Sequence, residues 1–259
     1  ANLLPNGDWV GSLDNISALS GYWIKQSEAD ILEVTGLPTD VDVVFDLHYG
    51  ANLISYPFLG SALLEETLPV EVYDNVTGII GEGVAATILP NGDWAGSLDF
   101  LQGTEGYWFV ATDAFEFSYI PPEISGRMEI EEVVETPEEF QYAQSTKQAF
   151  YFVDDIEFAE IGDWVLSYNG NHIVGARMWN GELIDIPAMG QDDQLSTVGY
   201  CNEGDVIDIK LYKTQTGELV DLYGDILGWS DLSISFIDSL VINSSSLVDG
   251  YGLSSVYPN

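Results

Sequence analysis

One stretch of this chain is written twice. Leu4-Pro5-Asn6-Gly7-Asp8-Trp9 recurs as Leu89-Pro90-Asn91-Gly92-Asp93-Trp94, Gly11-Ser12-Leu13-Asp14 as Gly96-Ser97-Leu98-Asp99, and Gly21-Tyr22-Trp23 as Gly106-Tyr107-Trp108. The offset is 85 throughout, without a gap, and 13 of the 20 positions from Leu4 to Trp23 are identical. An ungapped match of that extent marks a duplicated structural unit.

The two copies are not equally complete. A stretch from about Val43 to Gly83 precedes the second copy, whereas only Ala1-Asn2-Leu3 stands before Leu4. The chain therefore opens on the second half of a unit, which reads as a processed or truncated start. Such a half is expected to have an unpaired strand edge and an open core, both costly. The resulting organisation is a second half-repeat over 1–40 and a complete repeat over 41–122. An acidic, Pro- and Glu-rich linker follows over 123–139, with a strand expected from Met128 to Val134. A third, diverged module spans 140–230 and a tail spans 231–259.

Local signals are those of strands. Asn-Gly between apolar or aromatic residues is the strongest short hairpin signal, because both residues tolerate positive φ. It occurs at Asn6, Asn91, Asn169 and Asn180. Period-two alternation runs through Ile207-Asp208-Ile209-Lys210-Leu211 and Phe115-Glu116-Phe117-Ser118-Tyr119. Ser61 to Val72 is expected to contain a short helix. The fold expected is all-β, with antiparallel sheets built from tandem repeats. Two arrangements fit: a small propeller-like closed ring or tandem β-sandwiches.

Charge excludes several functions. Against 43 Asp and Glu there are 6 Lys and Arg, a net charge of −37 in 259 residues. Six scattered cations cannot build the basic face a nucleic-acid binder needs, nor one for an anionic membrane surface. Disorder is not expected, because 7 Trp, 14 Tyr and 11 Phe supply a core. No apolar run is long enough for a membrane span. So acidic a chain repels itself unless salt or divalent cations screen it, which points to an extracellular setting. The single cysteine, Cys201, excludes an intrachain disulfide and reads as a buried, inert thiol.

Motifs for catalysis are absent: His48 and His172 stand 124 positions apart, and no nucleophile elbow or phosphate-binding loop occurs. Asp8, Asp93 and Asp163 sit at equivalent places in repeated motifs and read as caps of their turns, with calcium as the functional alternative. Calcium needs six to eight oxygens, for which the pairs Asp40/Asp42, Asp154/Asp155 and Asp192/Asp193 are the candidates. Asn15-Ile16-Ser17, Asn75-Val76-Thr77 and Asn243-Ser244-Ser245 are glycosylation sequons. Trp23 and Trp108, each inside a Gly-Tyr-Trp motif, are expected to pack in cores or between sheets.

The pattern Tyr49-Gly50-Ala51-Asn52-Leu53-Ile54-Ser55-Tyr56-Pro57, then Ile79-Ile80-Gly81-Glu82-Gly83-Val84-Ala85, Trp94-Ala95-Gly96-Ser97-Leu98 and Gly106-Tyr107-Trp108, resembles the repeats of large secreted bacterial β-repeat surface proteins. The third module, from Phe150-Tyr151-Phe152 to Ile186-Pro187-Ala188-Met189-Gly190, looks like a companion of those repeats. The end, Leu253 to Asn259, is similar to the entry of a type IX secretion sorting domain. The resemblance implies an exported surface module and no enzymatic activity. Independently, Tyr251-Gly252-Leu253-Ser254-Ser255-Val256-Tyr257-Pro258 echoes Tyr49 to Pro57 with one residue deleted. Tyr251, Leu253, Val256 and Tyr257 are therefore candidates for the missing strand: within the chain it would close a ring, and as an inter-subunit strand it would be donated to the open half-repeat of the next molecule.

The function expected is non-catalytic, structural or adhesive: an extracellular subunit of a head-to-tail homopolymer or surface layer, with calcium and glycans as candidate partners. The alternative is a carbohydrate-binding module with an exposed Trp/Tyr platform. A hydrolase with a carboxylate pair ranks behind both.

Overall fold

The structure, a computed structural model, describes residues 1–26, 28, 31, 37–122 and 135–242. The chain divides into two units, Ala1–Val133 and Val134–Asn259. Both are built from antiparallel sheets, as the sequence predicts.

In the first unit, β1 (Asn2–Leu3) and β2 (Trp9–Val10) form a two-stranded hairpin. The complete repeat follows: β3 (Phe45–Leu47), β4 (Gly50–Ser55), β5 (Ser61–Leu63), helices α1 (Leu64–Thr67) and α2 (Val70–Asn75), β6 (Val76–Ile80), β7 (Ala85–Ile88), β8 (Trp94–Gly96), β9 (Phe100–Gln102), β10 (Gly106–Ala111) and β11 (Phe115–Phe117). A five-stranded sheet runs in the order β4-β10-β6-β7-β8, with β5 paired to β9 and β11 to β3. The core holds Leu64, Leu68, Val72, Ile79, Leu101, Tyr107 and Phe109. It also carries an aromatic stack in which Phe117 meets Phe45, Phe109 and Tyr119 with ring centroids 5.0–5.7 Å apart. The alternation of Phe115 to Tyr119 shows here: Phe117 and Tyr119 are buried and Glu116 exposed. The helix expected over Ser61 to Val72 is interrupted. Ser61–Leu63 is a strand against β9, and Pro69, which has no N–H to continue a helix, stands between the two short ones.

In the second unit, β12 (Gln148–Ile156), β13 (Trp164–Asn169), β14 (His172–Met178), β15 (Ile184–Met189), β16 (Asp208–Lys213), β17 (Glu218–Tyr223) and β18 (Ile234–Ile242) make one sheet in the order β14-β13-β16-β17-β18-β12-β15. Its two end strands, β14 and β15, lie side by side, so the sheet curls into a nearly closed barrel. Closure removes the exposed edges that invite aggregation. Tyr151, Val165, Val174, Ile186, Ile209, Leu211 and Leu240 fill the interior. A smaller cluster of Phe140, Trp164, Leu166 and Ala176 packs separately from it.

β18 corrects the sequence-derived boundary at 230. Ile234–Ile242 belongs to the barrel rather than to a tail, since it pairs antiparallel with β17 and parallel with β12, placing Phe236 opposite Phe152. Its burial alternates only loosely, and it interrupts an otherwise antiparallel order, which hairpin signals cannot reveal.

All four Asn-Gly pairs link consecutive strands, with Asn169 the last residue of β13. Three close the hairpins β1–β2, β7–β8 and β13–β14; the fourth joins β14 to β15. Each glycine has the positive φ such turns need: +89° at Gly7, +91° at Gly92, +58° at Gly170 and +90° at Gly181.

Candidate functional site

The two copies of the repeat offer an internal comparison: nearly the same sequence in two environments. Locally they fold alike. Leu3 faces Trp9 as Ile88 faces Trp94, and Asn2 faces Val10 as Thr87 faces Ala95. In both turns the Asn side-chain amide donates to the Asp carboxylate at 2.8 Å, and the Asp backbone N–H donates back to the Asn at 3.1 Å. The tyrosine hydroxyl accepts from the backbone N–H five residues earlier in each: Ser17 to Tyr22 at 2.7 Å, Gln102 to Tyr107 at 2.8 Å. Short-range chemistry alone sets these features.

What differs is burial. Ile16 is 73% exposed, and its counterpart Leu101 is 0% exposed. Tyr22 is 37% exposed against 1% for Tyr107. Leu13, Ile24 and Trp9 are likewise exposed, where Leu98 and Phe109 are buried and Trp94 is half-buried. In the second copy the cover comes from residues 43–85. β5 pairs with β9, β4 and β6 flank β10, and the Tyr73 ring of α2 packs edge-on to Trp94 with centroids 5.4 Å apart. Among the described residues nothing equivalent lies over the first copy. Residues 15–17 and 21–26, which correspond to β9 and β10, form no strand. Burial pushes the Tyr107 hydroxyl well above the usual phenol range, and the neighbouring Glu105 carboxylate adds to that shift.

The first copy touches the complete repeat along one line. Gly21 N–H donates to Leu53 O at 3.1 Å, Ser55 N–H to Leu19 O at 3.3 Å and Ser55 Oγ to Ala18 O at 2.5 Å, with Ser20 bridged to Ile54. These contacts occupy the edge of β4 that faces away from β10. They use the backbone of Leu19 and Gly21. In the second copy it is the alternate residue, Glu105, whose carbonyl accepts from the repeat's own β4, from Tyr56 N–H at 3.2 Å. Gly21 allows this approach: a Cβ there would lie 2.8 Å from Leu53 Cδ1 and 3.1 Å from the Cα of Gly106. Gly21→Ala is therefore expected to release residues 18–21 from β4 without unfolding the complete repeat. Hydrogen exchange checks it: the Gly21 and Ser55 amides should lose protection while Phe109 keeps it.

Trp23 corrects the expectation of core packing: it is 37% exposed, and its counterpart Trp108 is only half-buried, on the face of β10 opposite the buried Tyr107 and Phe109. The apolar character of the open face is legible in the sequence. Ile16 aligns with Leu101 and Ile24 with Phe109, apolar in both copies though not identical.

The other candidates are dispersed. Asp40 and Asp42 are exposed in the turn before β3, where Asp42 N–H donates to Asp40 Oδ1 at 3.2 Å. Asp154 and Asp155 occupy consecutive positions on β12, and alternation sends neighbouring strand side chains to opposite faces. Asp192 closes a turn. Burial opposes its charge, but hydrogen bonds from Gln194, Thr197 and Thr146 outweigh this and hold its carboxyl well below the usual range. Asp193 beside it is exposed. Among the described residues no three Asp, Glu, His or Cys converge as a metal cradle. Asp163 is buried and caps its loop, accepting from Glu160 N–H at 3.0 Å and Thr214 N–H at 2.9 Å. Asn15 is exposed, and Asn75 donates to Glu71 O at 2.8 Å at the end of α2. Asn243 and the candidate strand residues Tyr251, Leu253, Val256 and Tyr257 lie outside the described residues, as does the Met128 to Val134 strand. Cys201 is buried, and burial with the nearby Asp205 charge pushes its thiol up to about 12.

Among the described residues no helix is long and apolar enough to cross a membrane. No family model matches the chain, and no curated protein or solved structure matches it either.

Proposed function

We propose that this chain is a non-catalytic, extracellular structural or adhesive β-repeat protein, a subunit that joins head to tail into a filament or surface layer. The observation that carries the reading is the open face of the first copy. Leu13, Ile16, Tyr22 and Ile24 are exposed on a scaffold whose duplicate buries every counterpart. Covering apolar surface is worth roughly 25 cal/mol per Å², so such a face favours association. The tail of a neighbouring copy, Tyr251 to Tyr257, is the candidate strand for the edge that β4 supplies in the complete repeat. With a net charge of −37 on each subunit, contact between copies requires screening, for which salt or calcium serves.

The test is electron microscopy and sedimentation of the chain at physiological salt with calcium, beside the double variant Ile16→Asp/Ile24→Asp. Polymers are expected from the parent and monomers from the variant. A parent that stays monomeric at every concentration and salt level overturns the proposal. A sugar-binding reading draws on the exposure of Trp9 and Trp23. It expects tryptophan fluorescence to respond to oligosaccharides and that response to disappear in Trp9→Ala.

A further inference from the structure

We infer that Asn180 is a site of spontaneous covalent modification, where the backbone nitrogen of Gly181 attacks the Asn180 side chain and converts it to aspartate and isoaspartate. The inference is independent of the assembly reading: it concerns the second unit and needs no partner.

The chemistry is open to any Asn-Gly pair. Gly181 N bonds to Asn180 Cγ, the Cγ–Nδ2 bond breaks, and the Gly181 amide proton leaves with that nitrogen as ammonia. Water then opens the cyclic imide at either carbonyl. Cleavage at Cγ leaves aspartate. Cleavage at the main-chain carbonyl leaves isoaspartate, whose backbone runs through the former side chain and is one methylene longer. Both products carry a negative charge in place of a neutral amide. Glycine favours the attack because no Cβ shields its nitrogen. Asn-Gly occurs at Asn6, Asn91, Asn169 and Asn180, so sequence alone offers four equal candidates.

Structure separates them. Attack requires the Gly N–H to give up any hydrogen bond it makes, and the side-chain amide to be released from its own. At Asn91 both groups are held: Gly92 N–H donates to Leu89 O at 2.8 Å, and Asn91 Nδ2 donates to the Asp93 carboxylate at 2.8 Å. Asn6 repeats this, with Gly7 N–H on Leu4 O at 2.9 Å and Asn6 Nδ2 on Asp8 at 2.8 Å. At Asn169 only the amide is held, donating to Gly199 O at 3.0 Å. At Asn180 neither is: the Gly181 N–H and Asn180 Nδ2 have no hydrogen-bond partner among the described residues, and Asn180 is exposed to water. The one bond its side chain makes assists the reaction. Glu182 N–H donates to Asn180 Oδ1 at 3.0 Å, a donor on the oxygen that gains charge as nitrogen adds to Cγ. Asp8 and Asp93 N–H do the same for Asn6 and Asn91, so the discrimination rests on the other two groups. Each net hydrogen bond that must break slows the attack by roughly tenfold. The expected order is Asn180 first, Asn169 roughly tenfold slower, and Asn6 and Asn91 slower again.

The test incubates the folded full chain in oxygen-18 water at mildly alkaline pH, beside a sample unfolded in guanidinium chloride, and digests both afterwards in ordinary water. Trypsin cuts after Lys25, Arg127, Lys147, Arg177, Lys210 and Lys213, so the four pairs fall in separate fragments, 1–25, 26–127, 148–177 and 178–210. Imide opening takes up one labelled oxygen, which mass spectrometry follows in each fragment. In the folded chain, label is expected in 178–210 roughly tenfold ahead of the other three. In the unfolded chain the four rates should draw together, and Asn180→Gln should silence 178–210. Label that enters 178–210 no faster than the others in the folded chain overturns the inference. So does a lead that persists undiminished on unfolding, or label that remains in Asn180→Gln. Assembly is read by sedimentation and modification by label uptake, so either proposal falls without the other.

Discussion

Leu101→Ala should remove about 2–5 kcal/mol from the stability of the first unit, while Ile16→Ala, at the equivalent position of the first copy, should change it by no more than about 0.5 kcal/mol. The two residues occupy the same place in the repeat. Leu101 is fully buried among Leu64, Leu68 and Tyr107, whereas Ile16 has most of its surface in water. Truncating Leu101 forfeits transfer free energy and leaves a cavity in a close-packed interior. Truncating Ile16 removes methyls that lie mostly in water. Denaturant titration of each variant, with the first unit followed by exchange at Phe109, measures the difference. Equal costs at the two sites would mean that Ile16 is covered as Leu101 is, and the open face behind the assembly reading would not exist. The same pair gives a converse in an assembled state: if a partner segment occupies the first copy, Ile16→Ala becomes costly there, in affinity rather than in folding.

That contrast also explains which parts of the fold could be read from sequence. Turns and capping hydrogen bonds are short-range. Asn6-Gly7 and Asn91-Gly92 adopt the same geometry whether or not a core lies behind them, and so they are legible. Strand alternation was legible where one face is buried and the other wet, as in Ile207 to Leu211, where the isoleucines and leucine are buried and Asp208 is exposed. Position in the sheet was not. Nothing local distinguishes Ile234–Ile242 from a tail, because its pairing with β12 is parallel and spans most of the second unit in sequence. The Gly-Tyr-Trp motif misleads for a different reason: on β10 Tyr107 and Phe109 take the buried face and leave Trp108 half-buried on the other, and Trp23 at the equivalent position is 37% exposed. At the candidate site the duplication showed that a half-repeat existed. Only the burial of individual residues showed which side chains that half leaves open.

The largest effect in the second unit is expected at Gly175, at the seam where the barrel closes. β14 and β15 meet there without a ladder, since Pro187 has no N–H to donate. Side chains close the gap instead. Ser167 Oγ donates to Pro187 O at 2.6 Å, Arg177 Nε donates to Asp185 O at 2.9 Å, and the Arg177 guanidinium pairs with the buried Asp185 carboxylate at 3.0 Å. The strands approach so closely that a Cβ on Gly175 would lie 1.8 Å from Pro187 O and 2.6 Å from Ser167 Oγ. Gly175→Ala must therefore push β15 away, breaking the Ser167 bond and loosening the wall formed by Val174 and Ile186. Overpacking of this kind costs about 1–3 kcal/mol, and a buried polar group left unsatisfied about 1–3 kcal/mol more. Gly170→Ala is the comparison, because no atom lies within 4 Å of its added Cβ and only the +58° φ of the turn is at stake. Its cost should stay near 1 kcal/mol. Thermal unfolding read through Trp179 and Trp229 should show Gly175→Ala lowered well below Gly170→Ala. The reverse order would mean that the barrel tolerates an open seam and that its closure adds little to the stability of the unit.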